Sequence, residues 1–166
     1  MTQVKMFAPS SDLASKVTFV DDAVNAEALK KAEHLIEEQE AQYPSWLAED
    51  LKALKDAVNE IAKSPETERK PLLKDIFKKS LEIKGQGGTY GHPLLSYVAD
   101  NICNLLDSLT QVTDEDIEII RVHIDVLSVI AADKINEETD TPESNQILDG
   151  LKEIVQKRLN DLKETA

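Results

Sequence analysis

The sequence predicts an all-α protein, a bundle of helices packed along their apolar stripes. Three observations carry the prediction. Leu, Ile, Val and Ala recur at spacings of three and four through six segments, the repeat that keeps apolar side chains on one helix face. No segment alternates apolar and polar residues as a half-buried strand does. Helix breakers are scarce, with 5 Gly and 6 Pro in 166 residues, and a 4% aromatic content leaves the core to aliphatic side chains. A chain of this length fits one domain and buries a core without metal or disulfide staples.

Residues 1–20 hold no sustained period and contain the polar cluster Pro9-Ser10-Ser11-Asp12, so they are expected to form an N-terminal arm. The bundle is expected to occupy residues 21–166. Asp21 and Asp22 offer an N-cap region to a first helix, in which Ala26, Leu29, Ala32, Leu35 and Ile36 recur as far as Gln42. Pro44 should interrupt the chain, and Ser45-Trp46-Leu47 should open a second helix with the stripe Leu47, Leu51, Leu54, Val58 and Ile61. Ser64-Pro65 closes it, because the residue before a proline disfavours helical torsions. A third helix is predicted from Glu68 to Gly91, where Pro93 breaks the chain again. The fourth carries Leu94, Leu95, Val98, Ile102, Leu105 and Leu106. Thr113, with Asp116 three residues on, resembles a capping box with the shorter acid and opens a fifth helix through Ile117, Ile120, Ile124, Leu127 and Ala131. A polar loop from Glu137 to Ser144, containing Pro142, precedes a last helix with Leu148, Leu151, Val155, Leu159 and Leu162 on one face.

Composition narrows the function classes. Asp and Glu number 32 against 19 Lys and Arg, a net charge of −13, and that field repels nucleic acid and anionic membrane alike. No run approaches the length of a membrane span and no secretory leader is apparent, so a cytoplasmic location is expected. The single Cys103 forms no internal disulfide and lies in an apolar run, where it reads as a small buried hydrophobe. The three histidines are scattered and no Cys falls at ligand spacing, so neither metal nor cofactor is expected.

The third helix contains Leu81-Glu82-Ile83-Lys84-Gly85-Gln86-Gly87-Gly88-Thr89-Tyr90-Gly91. This stretch resembles the signature of histidine-containing phosphotransfer (HPt) domains, His-x-x-Lys-Gly with a further Gly. Lys84, Gly85 and Gly91 stand in place, and Ile-Lys-Gly-Gln-Gly-Gly-Thr-Tyr/Phe-Gly-x-Pro is similar to a bacterial subgroup of the family in which His-Asp precedes Ile-Lys-Gly. Here those two positions are Leu81 and Glu82. The resemblance is closest over Ser80 to Pro93 and implies an antiparallel four-helix HPt-like bundle, with additional N-terminal helices. It also implies a signalling surface without its phosphoacceptor, since leucine has no atom that accepts a phosphoryl group.

A turn of about 100° per residue tests that geometry. Leu73, Ile76, Ser80, Ile83 and Gly87 cluster on the predicted core side, and Leu81 falls roughly 120° from the middle of that face. Its neighbours by direction are Phe77, Lys78, Lys84, Gly85 and Gly88. Together with Leu81 they form the expected partner-binding patch: an apolar centre, glycines with no side chain to obstruct approach, and a basic rim on an acidic protein. The partner implied by the resemblance is the receiver domain of a response regulator, or a sensor histidine kinase in its place.

The other histidines lack the surrounding pattern. His34 has Glu37 and Glu38 at the positions of Lys and Gly, His92 has Leu95 and Ser96, and His123 has Val126 and Leu127. His92, beside the signature, is the best substitute acceptor. Three functions therefore stand: a non-catalytic module in two-component or chemotaxis-type signalling, with no catalytic residue; a working phosphotransfer protein using His92; and a structural adaptor bundle. Oligomeric state is left open, because the stripes can pack within one chain or between two.

Overall fold

A computed structural model of the chain describes residues 22–133 and 141–164, and every regular element among them is helical. The order is α1 (Asp22–Lys63), α2 (Glu66–Thr89), α3 (Pro93–Ser108), α4 (Asp114–Asp133) and α5 (Pro142–Glu164). The all-α bundle predicted from the stripes is the fold. The 1–20 arm and its boundary with the bundle lie outside the described residues.

Six predicted segments become five helices because Pro44 lies inside α1 and does not break it. A proline in a helix interior forfeits one hydrogen bond and costs about 3 kcal/mol. Tyr43 and Leu47, on either side of Pro44, are both buried in the core and supply the compensating packing. The N-terminal addition to the bundle is thus the first part of α1 rather than separate helices. Pro142, predicted within a loop, instead begins α5, where its missing N–H costs nothing. Thr141 caps that helix, its Oγ1 accepting from the Ser144 N–H at 3.1 Å.

The chain divides into two compact units between Gln39 and Glu40. In the first, the described side chains of α1 are exposed, Leu29, Leu35 and Ile36 among them. The second holds the core. There the rest of α1 runs antiparallel to α2, through Asp50–Lys79, and to α4, through Lys55–Asp125 and Arg121–Asn59. Antiparallel pairing of α2 with α3 is marked at one end by Lys84–Asp100 and at the other by Lys70 donating to the Leu109 carbonyl. These four helices enclose Leu54, Ile76, Ile83, Val98, Ile102, Ile120, Ile124 and Leu127, all almost fully buried. The fifth helix packs on α3 and α4.

Two charged ties fix the turns. Arg69, itself buried, donates to the Ser64 carbonyl at 2.9 Å and pairs with Asp114 at 2.8 Å, joining the α1–α2 turn to the start of α4. Asp116, 0% exposed, receives Arg158 of α5 at 2.7 and 3.1 Å. It also completes the capping box read from the sequence, accepting from the Thr113 N–H at 2.8 Å. Burial pushes its carboxyl up, but the Arg158 and Thr113 hydrogen bonds outweigh that and hold it below the usual value.

Candidate functional site on helix α2

The face of α2 that packs inward is the one the helical wheel selects: Leu73, Ile76, Ser80, Ile83 and Gly87 are all buried. Position 81 therefore emerges on the outer shoulder, and Leu81 is 50% exposed. Around it, Lys78, Gly85 and Gly88 are exposed, Lys84 is partly exposed, and Phe77 is half-buried against the core. All six predicted patch residues thus lie on one helix, with the apolar centre contributed by Leu81 and the edge of Phe77.

Two lysines secure the helix on either side of this ridge. Lys79 Nζ lies 2.7 Å from Asp50 of α1 and 3.0 Å from Glu82, and those hydrogen bonds raise its pKa, Asp50 foremost. On the other flank Lys84 Nζ lies 2.6 Å from Asp100 of α3, whose hydrogen bond raises the ammonium's pKa. Lys78, farther out, is 4.0 Å from Glu82. Of the two lysines in the basic rim expected from the sequence, Lys84 is thus paired with a carboxylate and Lys78 stays solvated.

The glycines separate into two roles. A Cβ on Gly87 would stand 3.1 Å from the His92 carbonyl oxygen and 3.1 Å from the Ser96 nitrogen, so this glycine lets α2 and the start of α3 approach closely. Gly91 takes φ +77 in the connecting turn, a torsion that other residues rarely adopt. At Gly85, in contrast, a Cβ would meet nothing within 4 Å, and at Gly88 only the Ser96 hydroxyl at 3.8 Å. Each costs a helix about 1 kcal/mol relative to alanine, and the fold gives neither a packing reason.

No protein-family model, curated protein or solved structure matches this chain.

What the ridge can do follows from its atoms. It offers no nucleophile at its centre, since Leu81 carries only carbon, and no free backbone N–H, since it lies inside a continuous helix. It offers an apolar contact with backbone open to a partner on one side. His92 lies elsewhere, at the N-cap of α3. Its N–H donates to the Gly87 carbonyl at 2.7 Å, and its ring stacks on Tyr43 at a centroid distance of 5.2 Å. Tyr43 also meets Tyr90, at 4.8 Å, and burial, with Asp50 and Tyr90 adding to it, pushes its hydroxyl pKa up to about 12. His123 is a core residue, with Nδ1 2.7 Å from the Ile119 carbonyl oxygen, and burial lowers its pKa. His34 is solvated on α1, 3.4 Å from Glu38.

Sequence reasoning missed Asp100 and Ser96, which reach Lys84 from α3; the Ser96 hydroxyl donates to the Lys84 carbonyl at 2.8 Å. Their signal lies in the register between α2 and α3, which periodicity within either helix does not contain.

Proposed function

We propose that the chain is a non-catalytic, HPt-like signalling module that binds a receiver domain through the α2 ridge and modulates or scaffolds it in the cytoplasm. It transfers no phosphoryl group itself. The observation that carries this reading is the pairing of an exposed Leu81 with an adjacent Gly85 that the fold leaves in open space. An apolar centre beside uncovered backbone suits a partner that must approach closely, and a purely structural helix would gain stability from alanine at position 85. A sensor histidine kinase engaging the same ridge is the alternative partner.

The working-phosphotransfer reading has less support, because the His92 ring is half-buried on Tyr43 and has no Lys or Gly at the following three and four positions. The test is binding of purified receivers from the same cell to the wild-type chain, Leu81→Glu and Gly85→Arg. Binding by wild type that both variants lose supports the ridge. Binding that survives both places the docking surface elsewhere, and no binding at all leaves the adaptor bundle.

A further inference from the structure

The ridge carries an apolar centre, and two of the three lysines nearest it are hydrogen-bonded to carboxylates. Of the cations nearest Leu81, Lys84 is held by Asp100 at 2.6 Å, Lys79 by Asp50 and Glu82, and Lys78 stands 4.0 Å from Glu82. Lys74 shares the outer side of α2 seven residues before Leu81, about 10 Å along the axis and about one Debye length away in physiological salt. A phosphoryl group brought against this surface would lose hydration to a leucine and gain in exchange only the solvated Lys78 ammonium, itself 4.0 Å from Glu82, a net cost for a buried charge. The net charge of −13 opposes the same group at longer range.

We infer that the α2 ridge discriminates by charge and takes a receiver in its unphosphorylated state, Leu81 acting as an apolar plug where a phosphoryl group would otherwise lie; this rests on the receiver-binding reading above. Asp100 is the second element of that selectivity, because it engages the Lys84 ammonium group beside the ridge on the α3 side. Phosphorylation of the partner would then release it, and the module would hold the inactive pool rather than the active one.

The experiment titrates the full-length chain with a receiver from the same cell, first unphosphorylated and then as its beryllofluoride adduct, which puts an anionic phosphoryl mimic on the acceptor aspartate. The adduct should bind at least about tenfold more weakly, the ratio that 1.4 kcal/mol sets. Asp100→Asn frees Lys84 and should narrow that ratio. Leu81→Arg, at an exposed position the core does not need, should reverse it. Equal or tighter binding of the adduct by wild type overturns the inference while leaving the docking ridge standing. Absence of binding in both states removes the docking reading, and this inference with it. An unchanged ratio in both variants overturns the roles given to Leu81 and Asp100.

Discussion

Lys84 of α2 and Asp100 of α3 meet at 2.6 Å, across a helix pair whose contact line also includes the hydrogen bond from the Ser96 hydroxyl to the Lys84 carbonyl. Lys84, which the resemblance sets on the proposed docking face, is thus engaged with a neighbouring helix. Its two possible jobs, neutralising a partner's charge and fastening α2 to α3, compete for one ammonium group. In this chain, fastening is the arrangement that forms.

A first prediction follows for that lysine. Lys84→Ala should weaken receiver binding only modestly, and much less than Gly85→Arg, because the charge it removes is exposed and already paired. Titration calorimetry of the two variants side by side checks the order. A Lys84→Ala loss as large as that of Gly85→Arg would show the ammonium reaching the partner directly.

The glycines give a prediction that needs no partner. Gly85→Ala should stabilise the protein by up to about 1 kcal/mol, since a methyl group there meets nothing and helix propensity improves. Gly87→Ala adds the same propensity but presses a methyl group to 3.1 Å from two backbone atoms of the α3 start, which cannot swing aside as a side chain would. Overpacking of that kind costs about 1–3 kcal/mol, so the variant should be less stable than wild type. Urea unfolding of both variants decides it, and equal effects would mean that α3 shifts freely.

Much of this arrangement was legible in the chain. The 3–4 spacing gave the core faces of α2 to α5 and of the Leu47–Ile61 part of α1, whereas the stripe of Ala26, Leu29, Ala32, Leu35 and Ile36 is exposed. The wheel on α2 put Gly87 inside and Leu81 outside, where the structure has them. What stayed hidden depends on contacts between helices. The continuity of α1 through Pro44 rests on tertiary burial of Tyr43 and Leu47, whereas the proline penalty is a local quantity. The loss of a free charge at Lys84 depends on Asp100, sixteen residues away on another helix. The stacking of His92 on Tyr43 likewise joins two distant segments.

Acid should destabilise the fold in two stages. Burial holds His123 below its ordinary 6.5, so the unfolded chain takes up that proton first, and stability falls as the pH drops below the unfolded value. The Asp116 carboxyl is held below 3.8 in the fold, so its contribution is complete above the unfolded value and is lost as the pH falls through the folded one. Denaturant unfolding at a series of pH values from neutral into the acid range should therefore show one decline below about 6.5 and a second in the carboxylate range. Replacing His123 with Gln should remove the first decline and leave the second.

Arg158 should be the most sensitive surface-to-core tie. Its removal in Arg158→Ala leaves the fully buried Asp116 with only its Thr113 partners, and breaking a buried pair in this way costs about 3–5 kcal/mol. The Asp116 carboxyl should then titrate at higher pH, moving the acid transition upward. A thermal melt little changed from wild type would mean that water or another side chain replaces the guanidinium.

The last prediction concerns chemistry at position 81. Wild type should take up no acid-labile phosphate from a phosphorylated receiver or a kinase, because Leu81 has no nucleophile and the His92 ring is stacked on Tyr43. Leu81→His places an imidazole at a half-exposed helix position with Gly85 open beside it. Phosphoryl transfer asks little of the protein beyond positioning and charge neutralisation, so this one change should give measurable labelling with a compatible donor. Transfer should be slow, because Lys84 is held by Asp100 and small misplacements forfeit effective molarity. Leu81→His combined with Asp100→Asn should be faster than Leu81→His alone, since the second change releases the ammonium toward the phosphoryl group. Phosphate uptake on a rapid-quench time scale, with the labelled residue mapped, measures all three proteins. Efficient labelling of wild type that disappears in His92→Ala would refute the non-catalytic reading and establish His92 as the acceptor.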